Sequence, residues 1–181
     1  KNKPFYHVEL DEDLPVTDVL NGYSTPVDRG GAQKDIKIFL ASSAELKAER
    51  EQFEIFIHRE NQRLYRKGIF IELVVWENFI DAMSKTRLQD EYNHVVMNCD
   101  IFVSLFFSKV GKYTLEEFET AFGQFKKTGK PFVYTYFKDA PINTGALNRQ
   151  DANSLFDFQE KLKKLGHFQT VYKNIKGLQL H

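Results

Sequence analysis

Residues 36–50 read IKIFLASSAELKAER, and this stretch decides the fold. Residues 36–41 form a short apolar run, typical of a strand that is buried on both faces. An amphipathic pattern follows over about residues 44–66, where apolar side chains recur at helical spacing. Ser42 and Glu45 have the spacing of a capping box, which predicts that the helix starts directly after the strand. The stretch therefore predicts a β-strand that leads into a helix.

The same alternation of apolar runs and helical patterns continues along the chain. We predict strands at residues 36–41, 69–76, 101–107, 132–137 and 168–172. After the helix at 44–66, we predict a helix with an apolar stripe from Leu88 to Cys99, another with a stripe from Leu115 to Phe125, and a last one at about 151–165. This order is typical of a parallel sheet with helices on both faces. Right-handed crossovers then favour an α/β fold, with a flavodoxin-like, doubly wound, five-stranded parallel sheet.

The composition is that of an ordinary globular protein. The chain has 181 residues, of which 25 are basic and 25 acidic, so the formal net charge is zero and no overall field attracts nucleic acid. A single cysteine excludes an internal disulfide, which fits a reducing compartment. The longest apolar run is too short to cross a membrane. We therefore expect a cytoplasmic protein that binds neither nucleic acid nor membrane.

Residues 1–35 differ from the rest of the chain. They contain seven acidic and four basic residues together with three prolines and three glycines. This pattern predicts an acidic N-terminal arm or linker over residues 1–35 and a single α/β domain over residues 36–181. Because the chain starts at Lys1 and ends in apolar residues with no predicted element around them, we expect it to be a piece of a larger protein.

The candidate pocket lies beyond the carboxyl ends of the predicted strands. Ligands of an open parallel sheet bind where the strand order reverses, which here is between the first and third strands. The residues placed there or at the neighbouring edge are Ser42, Ser43, Trp76, Ser108, Lys112 and Tyr113. Hydroxyls, aromatic rings and a lysine beside a helix N-terminus suit a phosphate-bearing small molecule such as a nucleotide. We predict that these six residues line a substrate pocket.

Established cofactor and metal signatures are absent from the sequence. It contains no G-x-G-x-x-G after a strand and no G-x-x-x-x-G-K-[ST], which argues against a Rossmann dehydrogenase or a P-loop NTPase. The five histidines are scattered without metal-ligand spacing. Cys99 lies on an apolar helix stripe, where we expect an inert packed thiol. We expect neither a metal ion nor a resident cofactor.

Two segments carry a family resemblance. The first is IKIFLASS at residues 36–43, followed by Glu45-Leu46 and Glu49-Arg50. The second is CDIFV at residues 99–103, followed by YTLEEFETA at residues 113–121, where Tyr113 takes the usual position of a tryptophan. Together they resemble TIR-like domains, of the Toll/interleukin-1 receptor homology superfamily, in particular the bacterial branch attached to STAND NTPases and other defence proteins. The resemblance covers about residues 36–138.

The resemblance implies an activity. In TIR domains that hydrolyse NAD⁺, the glutamate of the aromatic-x-x-x-Glu motif is catalytic, and it corresponds to Glu117. A carboxylate near the ribose stabilises the positive charge that forms as the bond to nicotinamide breaks, as carboxylates do in glycosidases. The resemblance therefore implies that the chain takes NAD⁺ as substrate and acts as an effector or signalling module in bacterial antiviral defence. It is also expected to form a homo-oligomer through TIR-like contacts.

Other interpretations remain open from the sequence. Thr114 and Glu117 have the spacing of a capping box, so Glu117 has a purely structural interpretation as well. A non-catalytic TIR-like adaptor for self-association would have the same fold without the activity. A nucleoside deoxyribosyltransferase-like enzyme would have a similar pocket and glutamate but a different substrate.

Overall fold

The computed structural model describes residues 34–75, 88–142, 145 and 148–179, with side chains from residue 93 onward in the second helix. The chain divides into two units, Lys1–Ala32 and Gln33–His181, and the description covers only the second. The predicted N-terminal arm therefore lies outside the described residues, apart from Lys34 and Asp35, which begin the first strand.

The sheet has five strands, all parallel. They are β1 (Lys34–Ser42), β2 (Ile69–Val75), β3 (Ile101–Phe106), β4 (Phe132–Lys138) and β5 (Gln169–Tyr172). Their order is β2-β1-β3-β4-β5, and each neighbouring pair is parallel. At the centre of the sheet, Leu40 pairs with Val103 and Ser42 pairs with Leu105. The predicted flavodoxin-like sheet is confirmed.

Five helices accompany the strands in the described part of the chain. They are α1 (Lys47–Leu64), α2 (Leu88–Met97), α3 (Lys112–Thr128), α4 (Arg149–Lys164) and α5 (Ile175–Gln179). A single 3₁₀ turn, Ala44–Leu46, leads into α1. The sequence did not predict α5, and the apolar residues near the end of the chain were expected to have no element around them. Leu178 is in fact buried, because α5 packs against α1 and β5.

The two faces of the sheet carry different helices and two separate apolar clusters. Phe39 and Ala41 of β1 pack with residues of α2, α3 and α4, whereas Ile38 and Leu40 pack with α1 and α5. Burial of a large side chain such as Phe39 stabilises the fold by about 1.5–3 kcal/mol. The second half of β1 is thus buried on both faces, which explains the apolar run from Ile38 to Ala41.

This strand order defines where a ligand crevice is expected, beyond the carboxyl ends of β1 and β3. Helix α1 follows β1 on one face, and α3 follows β3 on the other, although β1 and β3 are neighbours. The two connections therefore leave the carboxyl ends of β1 and β3 in opposite directions, which is the arrangement that creates ligand sites in doubly wound sheets. Among the described helices, none has the length and hydropathy needed to cross a bilayer.

Candidate functional site at the carboxyl ends of β1 and β3

Arg50 organises the end of β1. Ser42 is the last residue of the strand, and its Oγ accepts a hydrogen bond of 2.8 Å from Nη1 of Arg50. The same Nη1 donates to the backbone oxygen of Ser43, also at 2.8 Å. Both Arg50 and Ser42 are buried. A buried guanidinium therefore holds the β1–α1 connection in place, with two charge-assisted bonds.

The predicted capping box of Ser42 and Glu45 is wrong. Ser42 belongs to the strand, and Ser43 takes the N-cap position of the 3₁₀ turn without a side-chain bond to the backbone. The Oε1 atom of Glu45 accepts a 3.0 Å bond from Ser43 Oγ and a 3.1 Å bond from the backbone nitrogen of Ser108, while its Oε2 accepts a bond from Ser108 Oγ. Glu45 thus joins the carboxyl ends of β1 and β3 instead of capping its own helix.

A second buried charge on α1 reaches the end of β4. The Oε1 atom of Glu49 lies 2.5 Å from Nζ of Lys138, and their side chains are 8% and 22% exposed. The Lys138 amino group also lies 5.1 Å from the centroid of the Phe107 ring, which follows β3. The Tyr172 hydroxyl is buried without a hydrogen-bond partner among the described residues, and burial, followed by the charges of Glu49 and Glu45, raises its pKa. This edge of the sheet is therefore densely charged.

The structure also corrects the second predicted capping box, that of Thr114 and Glu117. Helix α3 begins at Lys112 with Gly111 at its N-cap, and no N-cap side chain bonds to its first turn. Thr114 is therefore inside the first turn, where a capping box does not place it. Glu117 is in the second turn, about 8 Å along the helix from its start, and only 4% exposed. Glu117 is thus a buried carboxylate close to the carboxyl edge of the sheet.

The neighbouring acids of α3 have different environments. Glu116 Oε1 accepts a 2.9 Å hydrogen bond from Nδ2 of Asn93 on α2. Glu119 is half exposed and pairs with Lys161 on α4. Glu117 precedes Phe118, which is fully buried in the core cluster between α3 and the sheet. Among these three acids, only Glu117 is buried, on the helix stripe that also contains Phe118 and Ala121.

The loop that carries Ser108 into α3 is fixed from its other side. The backbone nitrogen of Val110 donates a 3.1 Å hydrogen bond to Ser154 Oγ on α4. Lys109 Nζ lies 3.7 Å from Oδ2 of Asp151, also on α4. These contacts, with the Glu45 bridge, hold the loop at both ends, so its backbone loses little further conformational entropy when a ligand binds.

The predicted pocket residues occupy distinct positions around the crevice. Ser42, Ser43 and Ser108 are brought together through Arg50 and Glu45. Lys112 and Tyr113 form the exposed first turn of α3, with Tyr113 60% exposed. Trp76 lies outside the described residues. Their roles in substrate binding stay predictions.

Sequence reasoning missed the charged residues of α1, although a signal was present. Glu49 and Arg50 lie one helical turn after Leu46 and one helical turn before Phe53. Both charged residues therefore lie on the apolar stripe that predicted the helix. Charged residues on a core-facing stripe are unusual unless they have buried partners. Their partners, Lys138 and Ser42, lie on different strands, so helical periodicity alone does not identify them.

Cys99 and the histidines do not assemble a reactive or metal centre in the described part of the chain. Cys99 lies just after α2, its Sγ donates to the backbone oxygen of Val96 at 3.1 Å, and burial raises its pKa to about 11. The thiol is therefore protonated and inert at neutral pH. No group of three or more His, Cys, Asp or Glu side chains among the described residues has the geometry to hold a metal ion.

Comparison with known proteins shows similarity at the level of structure. No protein-family model matches the chain, and no curated protein matches it. A solved structure described as the CMP N-glycosidase BcmB of Clostridium botulinum is similar, with a TM-score of 0.46 and 16% sequence identity. The match covers 80% of this chain and 95% of that one. At this score and identity, the function must be argued from the chain's own residues.

Proposed function

We propose that this domain is a TIR-like NAD⁺ glycohydrolase of bacterial defence, with Glu117 as its catalytic carboxylate. The observation that carries the proposal is the placement of Glu117. It is 4% exposed in the second turn of the helix that follows β3, at the edge where doubly wound sheets bind ligands. Because Gly111 is the N-cap of the helix, the Thr114–Glu117 capping box no longer explains why a glutamate stands there.

The reaction requires stabilisation of positive charge on the ribose. As the bond between the ribose C1′ and the nicotinamide nitrogen breaks, its electron pair leaves with nicotinamide, and the ribose becomes oxocarbenium-like. A water oxygen then adds to C1′ and loses a proton to solvent. A carboxylate in a water-poor environment stabilises this transition state more strongly than one in bulk water. Glu117 supplies such a carboxylate, and nicotinamide needs no metal ion to leave.

The serines of the crevice have complementary hydrogen-bonding capacity. Ser42 Oγ accepts from Arg50, so its own proton remains to be donated to a ligand oxygen. Ser43 and Ser108 donate their protons to Glu45, which leaves their oxygen lone pairs to accept from ribose hydroxyls. The proposal therefore assigns Ser42 as a donor and Ser43 and Ser108 as acceptors.

Two exposed residues at the start of α3 complete the proposed pocket. Lys112 is the first residue of the helix, so its charge adds to that of the helix N-terminus in binding a phosphate group. Tyr113 offers an accessible ring on which a base or nicotinamide can stack. Trp76 is proposed for the same pocket from its place in the sequence after β2.

Nicotinamide release tests the proposal directly. The full chain is incubated with NAD⁺, with and without a crowding agent that promotes assembly, and the products are separated by liquid chromatography. We expect nicotinamide to form, and Glu117→Gln to lower the rate by about a hundredfold or more, the typical loss when one transition-state electrostatic group is removed. Glu119→Gln is the matched control, because it changes an exposed glutamate two residues away on the same helix.

The alternatives give different outcomes. Thermal unfolding of both variants shows whether they fold, so that lost activity is assigned to chemistry and not to instability. If wild type releases no nicotinamide under any assembly condition, or Glu117→Gln is as active as Glu119→Gln, the proposal is wrong. Base release from deoxynucleosides or from CMP, without release from NAD⁺, would replace NAD⁺ by another nucleotide as the substrate.

A further inference from the structure

A second cleft lies at the opposite end of the sheet from the candidate site. It has a volume of about 540 Å³ and lies between the C-terminal half of α4 and the segment that leads into β5. Because this segment precedes the strand, the α4–β5 cleft is at the amino end of β5. The side chains that decide its chemistry are Phe156, Gln159, Glu160, Lys163, His167 and Phe168. Pockets of about 300–1,000 Å³ are typical of small-molecule sites, so the cleft has room for a small organic ligand.

His167 is held in this cleft by a chain of buried hydroxyl groups. Its Nε2 atom lies 3.0 Å from Thr135 Oγ1, and Thr135 Oγ1 accepts a 3.2 Å hydrogen bond from Ser104 Oγ. Both hydroxyl residues are buried. The imidazole ring also packs edge-on against Phe118 and Phe122 of α3. The ring therefore has a defined orientation before any ligand binds, as a preorganised site requires.

The same chain determines which imidazole nitrogen serves the cleft. Ser104 Oγ donates to the backbone oxygen of Tyr134 and to Thr135 Oγ1, so Thr135 keeps its own proton to donate to Nε2 of His167. The neutral ring then carries its proton on Nδ1, and burial lowers the pKa of His167, so the ring is neutral at pH 7. Nδ1 has no hydrogen-bond partner in the described part of the chain. It therefore offers one N–H donor to a ligand.

Two exposed phenylalanine rings line the same cleft. Phe168 is 93% exposed and Phe156 is 62% exposed. The sequence predicted Phe168 as the first residue of a core strand, but β5 begins one residue later, and the ring lies outside both apolar clusters. Accessible aromatic side chains of this kind stack on flat heteroaromatic rings. The pair therefore favours a planar aromatic ligand over an aliphatic one.

The charged side chains of the cleft balance one another. Glu160 and Lys163 are exposed and lie one helical turn apart on α4, and neither forms a salt bridge or a side-chain hydrogen bond among the described residues. Because they are one acid and one base, the cleft has no net charge while His167 is neutral. A charged ligand would meet a like charge beside the opposite one, so this balance favours a neutral ligand. Gln159 adds an amide that both donates and accepts.

We propose that the α4–β5 cleft binds a neutral, planar nitrogen heterocycle of the nucleobase or nicotinamide kind. Its ring packs against Phe156 and Phe168, and one of its acceptor atoms takes the hydrogen bond from Nδ1 of His167. The site lies at the amino ends of the strands and leaves the crevice beyond the carboxyl ends of β1 and β3 open. It is therefore independent of the proposed glycohydrolase activity, and either can fail without the other.

A chemical-shift titration of the isotope-labelled full chain tests binding and locates the ligand. The probes are nicotinamide and adenine, added separately, and the tighter of the two identifies the heterocycle. We expect a dissociation constant of about 1 mM or below, as for other ligands of this size. The largest shifts should be at backbone amides of residues 159–169, which contribute most of the cleft.

Two matched compounds separate the roles of ring and charge. Nicotinate has the ring of nicotinamide with a carboxylate in place of the carboxamide. Cyclohexanecarboxamide keeps the carboxamide but has no aromatic ring. Each should bind at least about tenfold more weakly than nicotinamide, because one meets Glu160 and the other cannot stack.

Variants test the assigned contacts. Phe168→Leu removes the aromatic ring but keeps an apolar side chain, and it should weaken binding by about tenfold. Phe132→Leu is the matched control, since Phe132 is also exposed but does not line the cleft. His167 is tested without substitution, because its ring also packs in the core. In long-range proton–nitrogen correlation spectra, the ligand should shift the Nδ1 resonance of His167 more than its Nε2 resonance.

Several results would overturn the proposal. These are the absence of binding at millimolar concentrations, equal binding of either matched compound, and a Phe168→Leu variant with the affinity of wild type. An Nδ1 resonance that does not respond to the ligand would contradict the assigned hydrogen bond. Shifts confined to the carboxyl ends of β1 and β3 would place the probes in the candidate site instead, which overturns this inference and leaves the proposed glycohydrolase activity standing.

Discussion

Replacing Lys138 by methionine leaves the carboxylate of Glu49 buried without its counter-charge. The Glu49–Lys138 pair has an N–O distance of 2.5 Å, and the Glu49 side chain is only 8% exposed. Breaking a buried ion pair by removing one partner costs about 3–5 kcal/mol. Since Lys138 is 22% exposed and so reaches water, we expect a loss near the lower end, about 3 kcal/mol.

This loss is large enough to measure reliably by urea denaturation followed by circular dichroism. For a domain of this size, about 3 kcal/mol corresponds to a melting temperature lowered by about 6–12 °C. Glu49→Gln should lose a similar amount. The double variant should lose much less than the sum of the two, because it leaves no unpaired buried charge.

The control is a pair on the surface of the same helix. Lys47 and Glu51 lie 3.7 Å apart with side chains 73% and 58% exposed, and Lys47→Met should cost less than about 1 kcal/mol. If Lys138→Met costs no more than Lys47→Met, or if the effects of Glu49→Gln and Lys138→Met simply add, the pair is not acting as a buried one and the reasoning fails.

Two further predictions concern single groups whose ionisation is shifted. Burial lowers the pKa of His167 below its ordinary value of 6.5, so the unfolded chain takes up a proton below about pH 6.5 that the folded chain does not. The free energy of unfolding, measured by urea titration, should therefore fall as the pH drops from about 7.5 to about 5.5. His167→Gln should make this decline shallower. An equally steep decline in the variant would show that other groups cause it. The Cys99 thiol has a pKa of about 11, so in the native protein it should resist alkylation by iodoacetamide at about pH 8. In urea it should react within minutes, and mass spectrometry follows both reactions. Rapid labelling of the native protein would contradict the burial of the thiol.

The strands and their order could be predicted because the signal is local. Phe39 and Leu40 face opposite sides of the sheet and are both fully buried, so this part of β1 requires consecutive apolar residues. The short helix α5 could not be predicted in this way. Its five residues include one buried apolar side chain, Leu178, and one such residue gives no periodicity.

The candidate site could be placed from the sequence, but its hydrogen bonds could not. The strand-order rule brought Ser42 and Ser108 to one edge, as the structure has them. Both predicted capping boxes, Ser42 with Glu45 and Thr114 with Glu117, were wrong because these residues have other positions or partners in the fold. Glu45 bonds to Ser108, 63 residues away, and α3 starts early enough to bring Thr114 inside the helix. A local spacing rule has no means of weighing such long-range competitors.

The consecutive charges of α1 also set the position of that helix along the sheet. Phe53 and Ile57 of the helix pack in one cluster with Leu46, which directly precedes it, and slipping the helix by one turn would still place apolar groups over apolar groups. Glu49 and Arg50 do not allow this freedom, because one must reach Lys138 on β4 while the other reaches Ser42 on β1. A single residue inserted between Leu46 and Glu49 would rotate both by about 100°. The number of residues between Leu46 and Glu49 is therefore as tightly constrained as the charges of Glu49 and Arg50.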